Sequence, residues 1–205
     1  MEGAQLWAGH RSAPVQSRMK ILFLSLIVCL PAFCQSVAVE RPQSPAHAPA
    51  SLELRDQYDA PQRLAFPATN VVVLTIADKK GSEQIDGWVT AIKARYGGRI
   101  ELRGLADVGG VPGFLHGKVR KKFQETRPYP VMMDWSGNVC SQFGFQPGLA
   151  NVLVMARDGN IQTSFAGPAR EPTLERVFAA IDGALLNSIS YQTNSTPRPS
   201  ASLKP

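Results

Sequence analysis

Polar side chains that can bind or react collect in one short turn, residues 78–83. The turn follows a continuous apolar run at residues 71–77 and precedes a segment with helical spacing. In open α/β sheets, ligands collect just beyond the carboxyl ends of such strands. Exposed N–H groups at a helix N-terminus would help lysines there to bind an anion. In the simpler alternative the turn is solvated and Ser82 caps the helix. The candidate binding residues of the turn are Asp78, Lys79, Lys80, Ser82 and Glu83.

Thiol and imidazole groups lie elsewhere in the chain. Cys140 follows Asn138 at the start of a short predicted helix, where a low-pKa thiol would be a candidate nucleophile. No nearby residue pattern supplies a base or a resolving thiol, which favours the alternative of a small buried side chain at a helix–sheet contact. His116 has no partner at metal-ligand spacing. We therefore predict no metal site and no cofactor.

The N-terminal region, residues 1–38, has the features of an extension followed by a secretory signal peptide. A basic segment containing Arg11, Arg18 and Lys20 precedes the apolar residues 21–30, and Ser36-Val37-Ala38 fits a small-x-small cleavage site. The apolar part is shorter than the roughly 20 residues that a membrane-spanning helix needs. The sequence predicts export to the periplasm or beyond, with an uncleaved anchor as the alternative, and leaves open whether Met1 or Met19 is the start.

Export would change both the cysteine count and the charge. Cys29 and Cys34 would leave with the signal, so that Cys140 could form no intramolecular disulfide. The full chain carries 22 basic and 16 acidic residues, net +6; without the three basic and one acidic residues of the first 38 it carries 19 and 15, net +4. This weakly favours an anionic partner.

A basic cluster at residues 118–122 is a further candidate surface. It fits anionic lipid headgroups or an acidic protein, or it is a solvated helix face. An exported protein is not expected to bind nucleic acid.

The remaining patterns predict one domain at residues 51–187, between a Pro-, Ala- and Ser-rich linker at 39–50 and a disordered tail at 188–205. Asp158-Gly159 between two apolar runs predicts a hairpin, because a type I′ turn needs positive φ. The helix after the polar turn should bury one face, whose residues recur at helical spacing: Ile85, Trp88, Val89, Ile92 and Tyr96. The predicted strands are 52–55, 61–64, 71–77, 99–106, 129–134, 151–156 and 161–165, and the predicted helices are 82–96, 114–125, 139–143 and one from Pro172.

Three stretches resemble the thioredoxin-like superfamily, in particular its redoxin, peroxiredoxin-related branch. They are residues 71–78 with the following helix, residues 133–139 with Phe143-Gly144-Phe145, and residues 152–161 around the Asp-Gly turn. A closer resemblance is to a group of exported bacterial thioredoxin-like proteins of uncharacterised function, which share the Tyr-Pro pair seen at Tyr129-Pro130 and lack the family's cysteine pair. The resemblance implies an α/β fold with a mixed central sheet and helices on both faces.

The departures from the family pattern bear on function. The family's Cys-x-x-Cys would fall at residues 80–83, a peroxidase cysteine at Asp78 or Lys79, and the facing cis-proline at Ala150. The resemblance therefore implies a degenerate site. We expect a non-catalytic binding or accessory protein that presents residues 78–83, with Ala150, to a protein or peptide. The alternative is a weak thiol-dependent redoxin or peroxidase acting through Cys140.

Overall fold

A computed structural model of the protein describes residues 46–194, with side chains through Ser188. The predicted signal peptide, residues 39–45 of the predicted linker and residues 195–205 of the predicted tail lie outside this part. Within residues 46–194, the structure has no helix long and apolar enough to cross a membrane.

Seven strands and four α-helices alternate along the described chain. The strands are β1 (Ser51–Arg55), β2 (Pro61–Ala65), β3 (Val72–Ala77), β4 (Glu101–Asp107), β5 (Val131–Asp134), β6 (Asn151–Met155) and β7 (Ile161–Ala166). The helices are α1 (Ile85–Tyr96), α2 (His116–Thr126), α3 (Asn138–Gln142) and α4 (Glu171–Asn194). Short 3₁₀ turns precede α1, at Gly81–Gln84, and α2, at Gly113–Leu115.

Five strands form a mixed sheet in the order β5-β4-β3-β6-β7, and β1 pairs with β2 in a separate hairpin. β3, β4 and β5 are parallel, whereas β6 runs antiparallel to β3 and β7 antiparallel to β6. β3 is buried along its whole length, as its continuous apolar sequence predicted. The predicted α/β architecture with a mixed central sheet is confirmed.

The central strand divides the core into two clusters, because successive side chains of a strand point to opposite faces. Val73 and Ala77 pack with α1 and α4 on one face, and Leu74 and Ile76 pack with the β1–β2 hairpin and α3 on the other. A third cluster joins α2 to β4 and β5. The residues of all three clusters lie between Ala48 and Leu185. A chain that begins at Val39 keeps all of them, so we expect it to fold.

Both ends of the domain extend past the predicted boundaries. In the predicted linker, the Ala48 N–H donates to the Gly159 carbonyl at 2.9 Å, and the Ile161 N–H donates to the Ala46 carbonyl at 2.9 Å. At the other end, α4 continues to Asn194, through the first part of the predicted tail. The linker residues join the fold because neighbouring backbone groups give them hydrogen-bond partners, which their composition does not reveal.

Candidate functional site

Asp78 lies directly after β3 and connects the polar turn to a second segment, the loop of residues 146–150. One carboxylate oxygen, Oδ1, accepts a hydrogen bond from the Gly81 N–H at 2.7 Å. The other, Oδ2, accepts from the Gly148 N–H at 2.7 Å. A single half-buried carboxylate therefore holds together two segments that are far apart in sequence.

Gln84 makes a second connection between the turn and this loop. Its amide oxygen accepts from the Ala150 N–H at 3.3 Å, and its amide nitrogen donates to the Gly148 carbonyl at 3.4 Å. With the bond from Asp78, three backbone groups of the loop are satisfied by side chains of this chain. An extended peptide that added to the loop as a strand would need such groups free.

Gly81 and Leu149 are in close backbone contact. A Cβ atom built on Gly81 would lie 2.2 Å from the Leu149 carbonyl oxygen, so only glycine fits without movement of the loop. Ala150, next in the chain, is fully buried. The Ala150 side chain packs in the α1 and α4 cluster and is not exposed to a partner. That the loop around Ala150 contacts a partner stays a prediction.

Asn151 fixes the shape of the loop from inside. Its side chain is buried; the amide oxygen accepts from the Gln146 N–H at 2.9 Å, and the amide nitrogen donates to the Gln146 and Leu149 carbonyls at 3.0 and 2.9 Å. Gly148 has a φ of 79°, in the left-handed region that favours glycine. The loop is therefore ordered by its own residues before any partner binds.

The exposed part of the site consists of Lys79, Lys80 and Glu83, and Ser82 is half-buried between them. The Ser82 hydroxyl donates to the Lys79 carbonyl at 2.7 Å and does not cap α1. The capping alternative is wrong because a 3₁₀ turn intervenes and α1 begins only at Ile85. The Arg127 guanidinium donates to the Ser82 carbonyl at 3.3 Å and pairs with Asp86.

Cys140 is not brought to this turn. It is fully buried in the hairpin-side cluster with Met132 and Phe143, whereas Ile85 and Ala150 belong to the cluster on the other face of the sheet. Burial raises the pKa of the Cys140 thiol, and the nearby Asp134 carboxylate raises it further. A protonated thiol without solvent access is a poor nucleophile. The geometry therefore fits the structural alternative for this residue.

Asp134 organises the turn around Cys140. Its buried carboxylate accepts from the Ser136 N–H and hydroxyl, the Gly137 N–H and the Cys140 N–H, at 3.1, 2.7, 3.0 and 2.9 Å. Burial alone would raise the pKa of Asp134, but the bonds from Cys140 and Ser136 outweigh it, so that the pKa is lowered. The carboxylate is thus a fixed acceptor at the start of α3.

His116, the remaining candidate for chemistry, is held by contacts within the domain. His116 stacks on Trp135 with ring centroids 3.7 Å apart, and its Nε2 lies 3.1 Å from the Val111 carbonyl oxygen. Among residues 46–194, no group of three or more His, Cys, Asp or Glu side chains is arranged to hold a metal ion.

Three residues that shape the loop of residues 146–150 and hold it against the turn were not predicted from the sequence: Gln84, Gly148 and Asn151. Pro147-Gly148 is a turn dipeptide, and this pattern could have indicated the positive φ. Gln84 carries no comparable signal, because its function depends on a loop more than 60 residues away.

Comparisons with known proteins agree with the fold. No protein-family model matches the chain, and no curated protein matches it. Solved structures do match. A protein from Chlorobium tepidum assigned as the thiol:disulfide interchange protein DsbE has a TM-score of 0.54 and 18% identity, covering 70% of this chain and 98% of its own. A DsbF homologue from Corynebacterium diphtheriae gives 0.53 and 14%, covering 72% and 96%.

A third structure, of a protein from Neisseria meningitidis assigned as a thioredoxin, gives a TM-score of 0.52 and 18% identity, covering 71% of this chain and 93% of its own. At such identities the similarity extends to the fold and not to the reaction. The resemblance found in the sequence motifs is therefore confirmed at the level of architecture, and the chain has the thioredoxin-like fold.

Proposed function

We propose that this protein is an exported thioredoxin-like binding or accessory protein that performs no thiol chemistry of its own. The observation that carries the proposal is the state of Cys140, the free cysteine of the described residues, which is fully buried and has a raised pKa. Residues 78–83, where the resemblance would place reactive thiols, contain none.

The partner is a protein or peptide that binds the exposed side chains of the turn. Lys79, Lys80 and Glu83 project from a rigid base, because Asp78 and Gln84 hold the turn against the loop. Those same bonds occupy the loop's backbone groups. Recognition therefore relies on charged side chains, with two lysines favouring an acidic partner segment, and not on strand addition.

Export is supported by the sequence of residues 19–38. The basic residues, short apolar segment and small-x-small site have the order of a signal peptide. Fractionation of a bacterium that expresses the full chain tests this: we expect a periplasmic product that begins at Val39. A product that keeps residues 1–38 and stays in the cytoplasm would contradict export.

The absence of thiol chemistry is tested on residues 39–205, which contain one cysteine. We expect no insulin reduction and no peroxide consumption above the buffer rate, with Cys140→Ser identical to the parent. A thiol reagent should modify no cysteine in the native protein and one equivalent after unfolding, because burial withholds the thiolate. Turnover that disappears in Cys140→Ser would overturn the proposal in favour of the redoxin alternative.

The partner surface is tested by site-specific photocrosslinking in the exported protein. A photoreactive amino acid at Lys79 or Glu83 should give a discrete adduct, and the same group at Arg176, an exposed position on α4, should not. The Lys79→Gln/Lys80→Gln variant should lose the adduct formed at position 83. The same adduct from all three positions, or none from Lys79 and Glu83, would contradict binding at the turn.

A further inference from the structure

We propose that α2 and the turn before it form a second interaction surface, which binds anionic lipid bilayers. We call it the α2 surface and define it as Phe114, Lys118, Lys121 and Lys122. The lysines would contact negatively charged headgroups while the Phe114 ring enters the interface. This surface lies beside β5, at the edge of the sheet away from α4.

The three lysines of the α2 surface are free to meet an external charge. All are exposed, and among the described residues none forms an ion pair. The neighbouring Arg120 differs: its guanidinium pairs with Asp59 at 2.9 Å and lies over the Trp135 ring at 5.7 Å. The basic cluster is therefore divided into one structural arginine and three available lysines.

Phe114 is an apolar side chain that the fold leaves outside. It is 86% exposed, the highest value among the large hydrophobic residues that the structure describes as exposed. A Cβ atom placed on Gly110, Gly113 or Gly117 would meet nothing within 4 Å, so the backbone around the ring is open. An aromatic ring that projects from such a backbone can enter a soft apolar layer without displacing neighbours.

The spacing brings the aromatic ring and the charges together. Lys121 and Lys122 follow Lys118 by three and four residues, which places the three lysines along one side of α2, and Phe114 lies in the turn just before that helix. The 3₁₀ turn Gly113–Leu115 leads directly into α2. The opposite side contacts the domain through Val119 and Phe123. Glu125 is the acidic residue on the exposed side and lies at the end of α2 away from Phe114.

An anionic bilayer would engage both the lysines and the Phe114 ring of the α2 surface. Each lysine near an anionic membrane surface strengthens binding about fivefold, and aromatic rings favour the region of the headgroups. An acidic protein would explain the lysines but would need a pocket for Phe114. We therefore choose the lipid surface, and an acidic polypeptide becomes a competing outcome of the test.

The test measures sedimentation of residues 39–205 with vesicles of phosphatidylcholine alone or with phosphatidylglycerol added. We expect binding only with phosphatidylglycerol, and weaker binding as salt shortens the Debye length from about 30 Å at 0.01 M to about 8 Å at 0.15 M. Lys121→Gln/Lys122→Gln should lower affinity about 25-fold, the equivalent of about 2 kcal/mol. The matched control, Arg170→Gln/Arg176→Gln, removes two exposed charges near α4 and should change affinity less than twofold.

Phe114 variants separate a lipid surface from a simple polyanion site. Phe114→Ser should weaken vesicle binding about tenfold, and Phe114→Trp should retain it, because a Trp ring also favours the interface. The proposal would be overturned if the double-lysine variant and the double-arginine control lost vesicle affinity equally. It would also be overturned if the parent protein did not bind phosphatidylglycerol vesicles. Tight binding to polyglutamate that Phe114→Ser leaves unchanged, together with unchanged vesicle binding in that variant, would assign the surface to an acidic polypeptide instead.

Discussion

Asp78 directly follows β3, whereas Asp134 is the last residue of β5. Both accept hydrogen bonds from backbone N–H groups, but they organise the chain over different distances. Asp134 is fully buried, and its donors lie within six residues of it. Asp78 is half-buried and joins Gly81 to Gly148, a residue 70 positions away. One carboxylate shapes a local turn, whereas the other fastens two segments to each other.

This difference bears on the proposed function. The Asp134 turn encloses Cys140 and leaves the thiol protonated and inaccessible. The Asp78 turn exposes lysines and a glutamate while its base is fixed. The cysteine region thus has the properties of a structural element, and the exposed residue 78–83 region is where we propose a binding surface.

Substitution of Asp134 should give the largest effect on stability. Asp134→Ala leaves the buried Cys140 N–H and the partly buried Ser136 and Gly137 N–H groups without their charged acceptor, and a hydrogen bond to a charged group contributes about 1.5–3 kcal/mol. We expect a loss of at least about 3 kcal/mol in the free energy of unfolding, measured by urea denaturation at pH 7. A loss below 1 kcal/mol would show that the turn holds without the carboxylate.

Asp134→Asn adds a pH test of the same site. The pKa of Asp134 is lowered in the folded protein, so the charged form contributes stability above the unfolded pKa of about 3.9, and this contribution is lost as the pH falls through the folded pKa. The stability gap between the parent and Asp134→Asn should therefore narrow in acid. A gap that stays constant from pH 7 to pH 3 would contradict the assigned charge.

Gly81→Ala tests the close contact in the other region. The added Cβ would lie 2.2 Å from the Leu149 carbonyl oxygen, which the backbone can relieve only by moving, and we expect a loss of about 2 kcal/mol. Gly117→Ala is the matched control because its Cβ meets nothing within 4 Å and lies within α2. It should stabilise the protein by about 0.5–1 kcal/mol, as alanine favours helix. Urea denaturation of both variants measures the change in the free energy of unfolding. If Gly81→Ala changes it in the same direction and by the same amount as Gly117→Ala, the close contact of Gly81 with Leu149 would be contradicted.

Local patterns predicted much of the fold. The apolar run at residues 71–77 became the buried central strand, and the residues predicted to face the core from α1 are all buried: Ile85, Trp88, Val89, Ile92 and Tyr96. The Asp158-Gly159 turn connects β6 to β7 in the predicted hairpin, but the predicted type I′ geometry is wrong, because Gly159 has a positive φ and Asp158 does not. These features depend on neighbours in the sequence, and periodicity and turn chemistry report such neighbours directly.

Contacts over long sequence distances could not be predicted in the same way. Gln57 is fully buried, and its amide donates to the Tyr129 carbonyl and accepts from the Val131 N–H, both at 2.8 Å, fixing β5 against the hairpin loop. Gln84 holds the candidate site by similar bonds. A glutamine in a loop or turn has no periodic signature, so its partner becomes evident only when the sheet brings the segments together.

The smallest expected destabilisation comes from Asp78→Ala, which tests whether this carboxylate joins two separate segments. The variant loses two charge-assisted acceptor contacts at a half-buried position, and we expect a cost of about 1.5–2 kcal/mol. Because the bonds join separate segments, amide hydrogen exchange should accelerate at both Gly81 and Gly148 while the amides of Gly137 and Cys140 keep their protection. Faster exchange at Gly81 alone would mean that Asp78, like Asp134, organises only its own turn, and that the loop of residues 146–150 is held by Gln84 and Asn151.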